Sequence, residues 1–354
     1  MITRGGVAMV KEEVRPAGLR AVWLLAAIAV LVVAVLAGIA LGPVGLPPGS
    51  VAIELLNLIP GVHLNSGLNE REIAIITDLR LPRVVLGLLV GSMLALAGAS
   101  YQGVFRNPLA DPYLLGVAAG AGLGATLAIA LRGGMWTSVP IFAFAGALLA
   151  VGLTYLLGIA GGRDRSGSTL ILAGVAISAF LAAIQTYVLQ RYADSIREVY
   201  SWLLGRLATG GWHDVMVIIP YAVVSALVVL ALRRELDVLS VGDAEAASLG
   251  LHPGRSRLIL VAAASLATAA AVAVSGLIGF VGIVVPHIVR LLTGSSYRAI
   301  LPLSMIYGGA FLVGADLIAR TVAAPTELPI GVVTAFVGAP FFILVLRTTR
   351  SARL

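Results

Sequence analysis

The sequence predicts an all-α membrane protein with about ten transmembrane helices. Of its 354 residues, 59% are hydrophobic and only 12% are charged, whereas a soluble domain is typically about 25% charged. The apolar residues form runs of roughly 20, the length that an α-helix needs to cross the ~30 Å hydrocarbon core of a bilayer. The chain is long enough for about ten such runs with short connections. We therefore expect one membrane domain over residues 21–347, between a polar segment 1–20 and a basic tail 348–354.

The apolar runs follow one another in a regular order. The first is longer than the ~7–15-residue apolar core of a signal peptide, so we interpret it as an uncleaved helix. Gly-Pro and Pro-Pro pairs within residues 42–48 end this helix, and a longer acidic segment follows over residues 49–78. The predicted spans are residues 21–41, 83–105, 114–131, 139–159, 170–189, 215–232, 258–275, 276–292, 301–320 and 328–346.

The distribution of charge predicts how the chain is oriented. Ten spans place both termini on the same side of the membrane. Most of the 24 Lys and Arg residues fall in the termini and in the connections on that side, which the positive-inside rule assigns to the cytoplasm. Between spans five and six, residues 190–214 mix charged and aromatic side chains, as is typical of a short amphipathic helix at a membrane surface.

The composition argues against several kinds of chemistry. The chain has no cysteine, so a disulfide or a thiolate-ligated metal cannot form. Its four histidines are scattered and form no HExxH pair, so we expect no protein-built zinc site and no cofactor. Lys11 is the only lysine and is followed by Glu12, so the chain has no Walker A loop. An ATP-driven motor would have to be another polypeptide, and the net charge of +7 reflects topology rather than nucleic-acid binding.

Three arginines fall at the predicted outer ends of two spans, against the positive-inside bias. Arg80 and Arg83 flank Pro82 at the outer end of span two, and Arg320 ends span nine. A guanidinium pairs well with a carboxylate in a two-pronged geometry, so these residues could contact an extracytoplasmic protein partner. They could equally snorkel to lipid headgroups or pair locally, since Asp316 lies one helical turn before Arg320. The residues alone leave both interpretations open.

Span two ends in the motif RNPLADP, which predicts a stiff cytoplasmic turn. Two prolines restrict the backbone of this connection, and the arginine can sit at the membrane interface. A simple hairpin connection would have the same features. The residues that define the turn are Arg106, Asn107, Pro108, Asp111 and Pro112.

The longest charged connection, residues 233–257, predicts a short surface helix. Helix-forming residues lie between two glycines, with Asp243 placed to cap the start and Gly250 placed to end the helix. Such a helix could dock onto a soluble protein or simply be solvated. Its residues are Asp243, Ala244, Glu245, Ala246, Ala247, Ser248, Leu249 and Gly250.

Several stretches, taken together and in order, resemble a known family. These stretches strongly resemble the FecCD-type permeases, the membrane subunits of type II ABC importers for ferric siderophores, haem or cobalamin. The matching stretches are LRLPR (79–83), GASYQGVFRNPLADPYLLGV (98–117), LILAGVAIS (170–178), GDAEAASLG (242–250), SGLIGFVGIVVPHIVRLL (275–292), ADLIAR (315–320) and ELPIGVVTAFVGAPFF (327–342).

The resemblance implies the type II importer permease fold, with ten helices per subunit and both termini in the cytoplasm. It implies a homodimer in the lipid bilayer of the bacterial inner membrane, two ATPase subunits and one extracytoplasmic substrate-binding protein. Arg80, Arg83 and Arg320 would receive carboxylates of the binding protein, and residues 243–250 would couple to the ATPase. Ser168 and Thr169 would lie near a cytoplasmic gate.

The expected cargo is a metal chelate, with a ferric siderophore or haem first and cobalamin second. An ion-coupled secondary transporter is the alternative from another class. That alternative would need acidic ligands for a coupling ion at mid-membrane. Asp316 is the acidic residue nearest to a span interior, and Arg320 lies beside it in the sequence.

Overall fold

The computed structural model describes residues 19–42, 44–132, 138–160, 167–207 and 211–351, and in these ranges all regular structure is helical. The first half contains α1 (Ala21–Ala40), α2 (Pro48–Asn57), α3 (Glu70–Ala74), a π-helical segment (Ile75–Arg80), α4 (Leu81–Val104), α5 (Val117–Arg132), α6 (Val139–Ala160) and α7 (Gly167–Arg191). The second half contains α8 (Ile196–Leu203), α9 (Trp212–Ala231), α10 (Arg233–Leu239), α11 (Asp243–Ser248), α12 (Pro253–Ser275), α13 (Val281–Thr293), α14 (Tyr297–Thr321) and α15 (Ile330–Ser351).

A helix occupies each of the ten predicted spans. Within the described ranges, seven helical stretches are long and apolar enough to cross a membrane, and three further apolar helices (117–131, 281–293 and 330–345) are shorter. The chain is therefore an all-helical multi-pass membrane protein. Of the three shorter helices, α5 and α13 follow glycine-containing connections, at residues 105–116 and 276–280, that shorten them at their N-terminal ends.

Two predicted span boundaries were wrong for local reasons. Span two does not begin at Arg83, because helical structure runs without interruption from Glu70 to Val104 and accommodates Pro82 in the first turn of α4. Span eight does not begin at residue 276. Gly276 has a φ of +70° and ends α12, and Phe280 has a φ of +69° and precedes α13, so the chain between them cannot continue a right-handed helix.

Helix α4 lies at the centre of the packing, and most of its residues are buried. It contacts α9, α12, α13 and α14. Two glycines let neighbouring backbones approach α4 closely. A Cβ atom at Gly91 would lie 2.2 Å from the carbonyl oxygen of Gly308 in α14, and one at Gly98 would lie 1.9 Å from that of Gly282 in α13. Small residues at such crossings are the usual means of tight helix packing in membranes.

The predicted amphipathic helix between spans five and six is present as α8. Its apolar residues Val199 and Trp202 are buried against α5, whereas its remaining residues are exposed or half-buried. Helices α1, α6, α7 and α9 bury only a minor part of their apolar windows. Their apolar side chains therefore form the outer surface of the bundle, which suits contact with lipid.

Candidate functional site

The three predicted docking arginines lie together at one end of the antiparallel pair α4 and α14. Two carboxylates join them there, one near the end of α14 and one in the turn before α15. We call this group the arginine cluster, and it consists of Arg80, Arg83, Asp316, Arg320 and Glu327.

Arg83 holds both carboxylates of the cluster. Its Nε and Nη2 atoms donate to Asp316 Oδ1 at 3.0 Å and 2.8 Å. Its Nη1 and Nη2 atoms donate to Glu327 Oε1 and Oε2, both at 2.9 Å. The two acids differ in access to solvent, since the side chain of Asp316 is 2% exposed and that of Glu327 is 48% exposed. The Arg83 hydrogen bonds lower the pKa of the Glu327 carboxyl, so this pair stays ionised at neutral pH.

Arg80 and Arg320 are buried against the end of α1. Arg80 Nη1 donates to the carbonyl oxygens of Ile39 at 2.6 Å and Ala40 at 3.1 Å. Arg320 donates to the carbonyl oxygen of Gly38, and its Nε atom lies 3.4 Å from Asp316 Oδ2. The last carbonyls of an α-helix have no partner within the helix, and the helix dipole makes that end negative. Both guanidiniums therefore act as caps for α1.

In this conformation the three arginines pair with groups of the same chain, as the local-pairing interpretation of the sequence expects. Their contact with a binding protein stays a prediction, and Arg83, at 16% exposed, is the most accessible of the three. The sequence analysis assigned no role to Glu327, which appeared only as the first residue of the family-like stretch 327–342. Nothing in its local pattern indicates a partner in α4, because the contact joins residues 244 positions apart.

The predicted surface helix is present as α11 and ends as expected. Gly250 has a φ of +82°, its N–H donates to Ala247 O, and the N–H of Leu251 donates to Ala246 O, both at 3.0 Å. This pair of bonds is a Schellman motif, which needs a left-handed residue after the helix. The predicted start was wrong, because Gly242 is the N-cap residue and Asp243 makes no capping bond.

The carboxylate of Asp243 binds arginines instead of capping the helix. Arg257 Nη2 donates to Asp243 Oδ1 at 2.8 Å, and Arg106 Nη2 lies 3.7 Å from the same oxygen. A carboxylate gains more interaction energy from hydrogen bonds and ion pairs with guanidiniums than from one hydrogen bond donated by a neutral backbone N–H. The contact also gives the RNPLADP turn a structural role, since Arg106 joins this turn to α11.

The turn itself is held by two of its predicted residues. Asn107 Oδ1 accepts a hydrogen bond from the N–H of Leu109 at 3.0 Å, and Asp111 Oδ1 accepts one from the N–H of Tyr113 at 2.9 Å. Side-chain bonds of this kind replace backbone turn bonds. Burial raises the pKa of the Asp111 carboxyl. The compact turn leaves Arg106, with a φ of +50°, facing α11.

One face of α11 is open to a partner. Ala246 is buried, whereas Ala244, Glu245, Ala247 and Ser248 are exposed. Leu249 follows the helix with 72% of its surface exposed. An exposed apolar residue beside an acidic one suits a protein contact, because burial of the leucine would be favourable and the carboxylate adds orientation.

Asp237 in α10 is a second residue that the sequence did not reveal. Its Oδ1 accepts a hydrogen bond from the N–H of Tyr297 at 2.6 Å, and its Oδ2 lies 3.3 Å from Ser296 Oγ and 3.7 Å from Arg298 Nε. The carboxylate thus caps the start of α14 from another helix. It fixes the 233–257 connection to the helix that carries Asp316 at its far end.

The gate prediction concerns the first turn of α7. Ser168 and Thr169 both lie there, and the side chain of Thr169 is half-buried. The side chain of Ser168 lies outside the described part of the chain. A gating role for these residues stays a prediction.

Comparisons with known proteins give a consistent result. A model of the FecCD transport family matches residues 28–348. The cobalamin import system permease protein BtuC of Halobacterium salinarum is 44% identical over 299 residues, which are 84% of this chain and 80% of that protein. The Fe(3+) dicitrate transport system permease protein FecD of Escherichia coli is 38% identical, over 77% of this chain and 85% of that protein. A solved metal-chelate type ABC transporter in an inward-facing conformation superimposes with a TM-score of 0.80 at 28% identity, over 92% of this chain and 98% of that chain.

Proposed function

Because the chain belongs to the FecCD transport family, we propose that it is the transmembrane permease subunit of an ABC importer for a metal chelate. The observation that carries this proposal is the family match over residues 28–348, which includes both the arginine cluster and α11. The chain would form one permease domain over residues 21–347. Its part in transport would be to form the translocation path and to change conformation around the cargo. ATP hydrolysis would take place on other subunits.

The proposed assembly contains two copies of this permease, two ATPase subunits and one substrate-binding protein. Residues 233–257 and both termini would lie in the cytoplasm, and the arginine cluster would face the outside of the plasma membrane. The positive-inside distribution of Lys and Arg supports this orientation. ATP hydrolysis would take place on a separate chain, which agrees with the lack of a Walker A sequence.

The contacts of α10 and α11 suggest how the motor could move the permease. ATP-driven closure of the ATPase subunits would push α11, which is joined to the RNPLADP turn by Asp243 and Arg106. Asp237 would carry the same movement into α14 through its bonds to the first turn of that helix. Since α14 packs along α4, the pair would move as one body and alternate the path between outward-open and inward-open states.

The cargo is proposed to be a ferric siderophore or haem, with cobalamin as the second candidate. Iron chelates are supported by FecD and other relatives named for ferric citrate and iron chelates. Cobalamin is supported by the 44% identity to the archaeal cobalamin permease. Each of these cargoes is a large metal chelate, which the substrate-binding protein would deliver to the permease.

A panel of chelates tests both the function and the cargo. The permease, its ATPase and its binding protein would be reconstituted in liposomes and given ferric citrate, a ferric hydroxamate, haem or cobalamin. We expect one class to stimulate ATP hydrolysis and to accumulate inside, while the metal-free chelator does neither. If the complete complex hydrolyses ATP but imports none of these compounds, the metal-chelate proposal is wrong.

Substitution of Gly250 by alanine is expected to weaken the association of the permease with the ATPase. An alanine at a φ of +82° raises the free energy of the native end of α11 by about 1 kcal/mol relative to unwound conformations. The ATPase would bind only the native helix end, so Gly250→Ala combined with Glu245→Ala should lower ATPase affinity about fivefold. The measurement is copurification of the ATPase with the tagged permease. Gly254→Ala is the matched control, because no described atom lies within 4 Å of a Cβ at that position. Equal copurification by both variants would contradict a coupling role for α11.

A further inference from the structure

The hydrogen-bonding capacity of Arg83 is almost fully used inside the chain. A guanidinium carries five N–H groups, and Arg83 uses its Nε and both Nη atoms on two carboxylates. At least four of the five N–H groups are therefore occupied. A carboxylate from another protein can bind Arg83 in the two-pronged geometry only if it replaces one of the internal carboxylates.

The two internal carboxylates differ in how easily they can leave. Asp316 is 2% exposed and also faces Arg320, so its departure would take a carboxylate away from two guanidiniums at once. Glu327 is 48% exposed and lies in the connection between α14 and α15. Its side chain can turn into water while Asp316 stays in place. Glu327 is therefore the exchangeable ligand of Arg83.

The charge of the cluster favours an acidic partner. Three guanidiniums share two carboxylates among the residues of the arginine cluster, which leaves one positive charge in excess. Arg80 and Arg320 are bound to carbonyl oxygens at the end of α1. An incoming carboxylate would have to uncap α1 to reach either of them, whereas it can reach Arg83 by replacing Glu327 alone.

We propose that Glu327 occupies the docking position on Arg83 in the free permease and is displaced by a carboxylate of the binding protein. This inference rests on the proposed function, since it requires an extracytoplasmic binding protein. It assigns unequal roles to the three arginines. Arg83 exchanges partners, while Arg80 and Arg320 hold α1 against α4 and α14 in both states. Glu327 thereby sets the affinity of docking by competition.

The test measures how tightly the binding protein holds the permease–ATPase complex. The complex would be placed in lipid nanodiscs, and association would be followed at low salt with the binding protein loaded with the chelate that best stimulates ATP hydrolysis. Glu327→Gln should tighten binding about fivefold, the effect expected for an exposed ion pair that no longer competes. Glu70→Gln is the control, because Glu70 is an exposed acid in the acidic segment 49–78 and its loss reports only the general effect of charge.

The variants of Arg83 separate this inference from the proposed function. Arg83→Lys should weaken binding and should abolish the gain from Glu327→Gln, because an ammonium cannot hold two carboxylates in the fork geometry. If Glu327→Gln fails to tighten binding more than Glu70→Gln does while Arg83→Lys weakens it, docking on Arg83 stands and competition by Glu327 is wrong. If neither variant changes binding while chelate import continues, the permease function stands and the docking position is wrong.

Discussion

Asp316→Ala is expected to destabilise the permease by about 3 kcal/mol. The side chain of Asp316 is 2% exposed and contacts both Arg83 and Arg320. Removal of the carboxylate would leave the three guanidiniums of the arginine cluster with only the half-exposed Glu327, and removing one partner of a buried ion pair is the costly way to break it. We expect a lower apparent melting temperature for the detergent-solubilised protein, measured at fixed detergent and lipid concentrations.

A neighbouring acid provides the control for this prediction. Glu327→Ala removes the second carboxylate from Arg83, but Glu327 is 48% exposed, so its loss should cost less than about 1 kcal/mol. Asp316→Asn should fall between the two, because the amide oxygen still accepts one hydrogen bond from Arg83. Equal melting temperatures for Asp316→Ala and Glu327→Ala would show that burial does not strengthen the Asp316 pairs.

The second large effect is expected at the crossing of α4 and α14. A Cβ atom at Gly308 would lie 2.5 Å from Gly91 O and 2.5 Å from Ala95 Cβ. One of the two helices would have to move, and overpacking of this kind costs about 1–3 kcal/mol. Gly308→Ala should therefore lower the melting temperature, and it should also reduce chelate import because α14 connects Asp237 to the arginine cluster.

Gly314 on the same helix is the matched control for Gly308. No described atom lies within 4 Å of a Cβ at position 314, and alanine is better than glycine inside a helix by about 0.5–1 kcal/mol. Gly314→Ala should leave stability unchanged or slightly higher. If Gly308→Ala and Gly314→Ala have the same melting temperature, the close approach of α4 and α14 is not a determinant of stability.

The helices were predictable from the sequence because each one depends on a local property. Runs of apolar residues place a helix in every predicted span, and Gly250 ends α11 through its own backbone conformation. The boundaries of spans two and eight were less predictable. Pro82 lies in the first turn of α4, and helical structure begins before it, upstream of the predicted start at Arg83. The left-handed conformation of Phe280 depends on its surroundings. A hydropathy pattern shows neither effect.

The candidate sites were predictable only in part, because their partners come from distant positions. A carboxylate was one of the two kinds of partner that the sequence left open for Arg83. The carboxylate that it binds, Asp316, lies 233 residues away and is brought to it by the packing of α14 against α4. Asp237 caps a helix that begins 60 residues later. Asp243 was expected to cap its own helix and binds Arg257 instead. The tertiary structure determines which of several available partners a charged residue binds.

The distance along the chain between Arg83 and Asp316 also has a consequence for biosynthesis. At about 5–20 residues per second, the ribosome needs roughly 10–50 s to make the 233 residues that separate them. During this interval α4 is already made, whereas Asp316 and the end of α14 do not yet exist. A long arginine side chain near a helix end can place its guanidinium in the headgroup region of the bilayer until the partner is made. The position of Arg83 near the start of α4, rather than at its middle, thus allows the helix to insert before its partner has been translated.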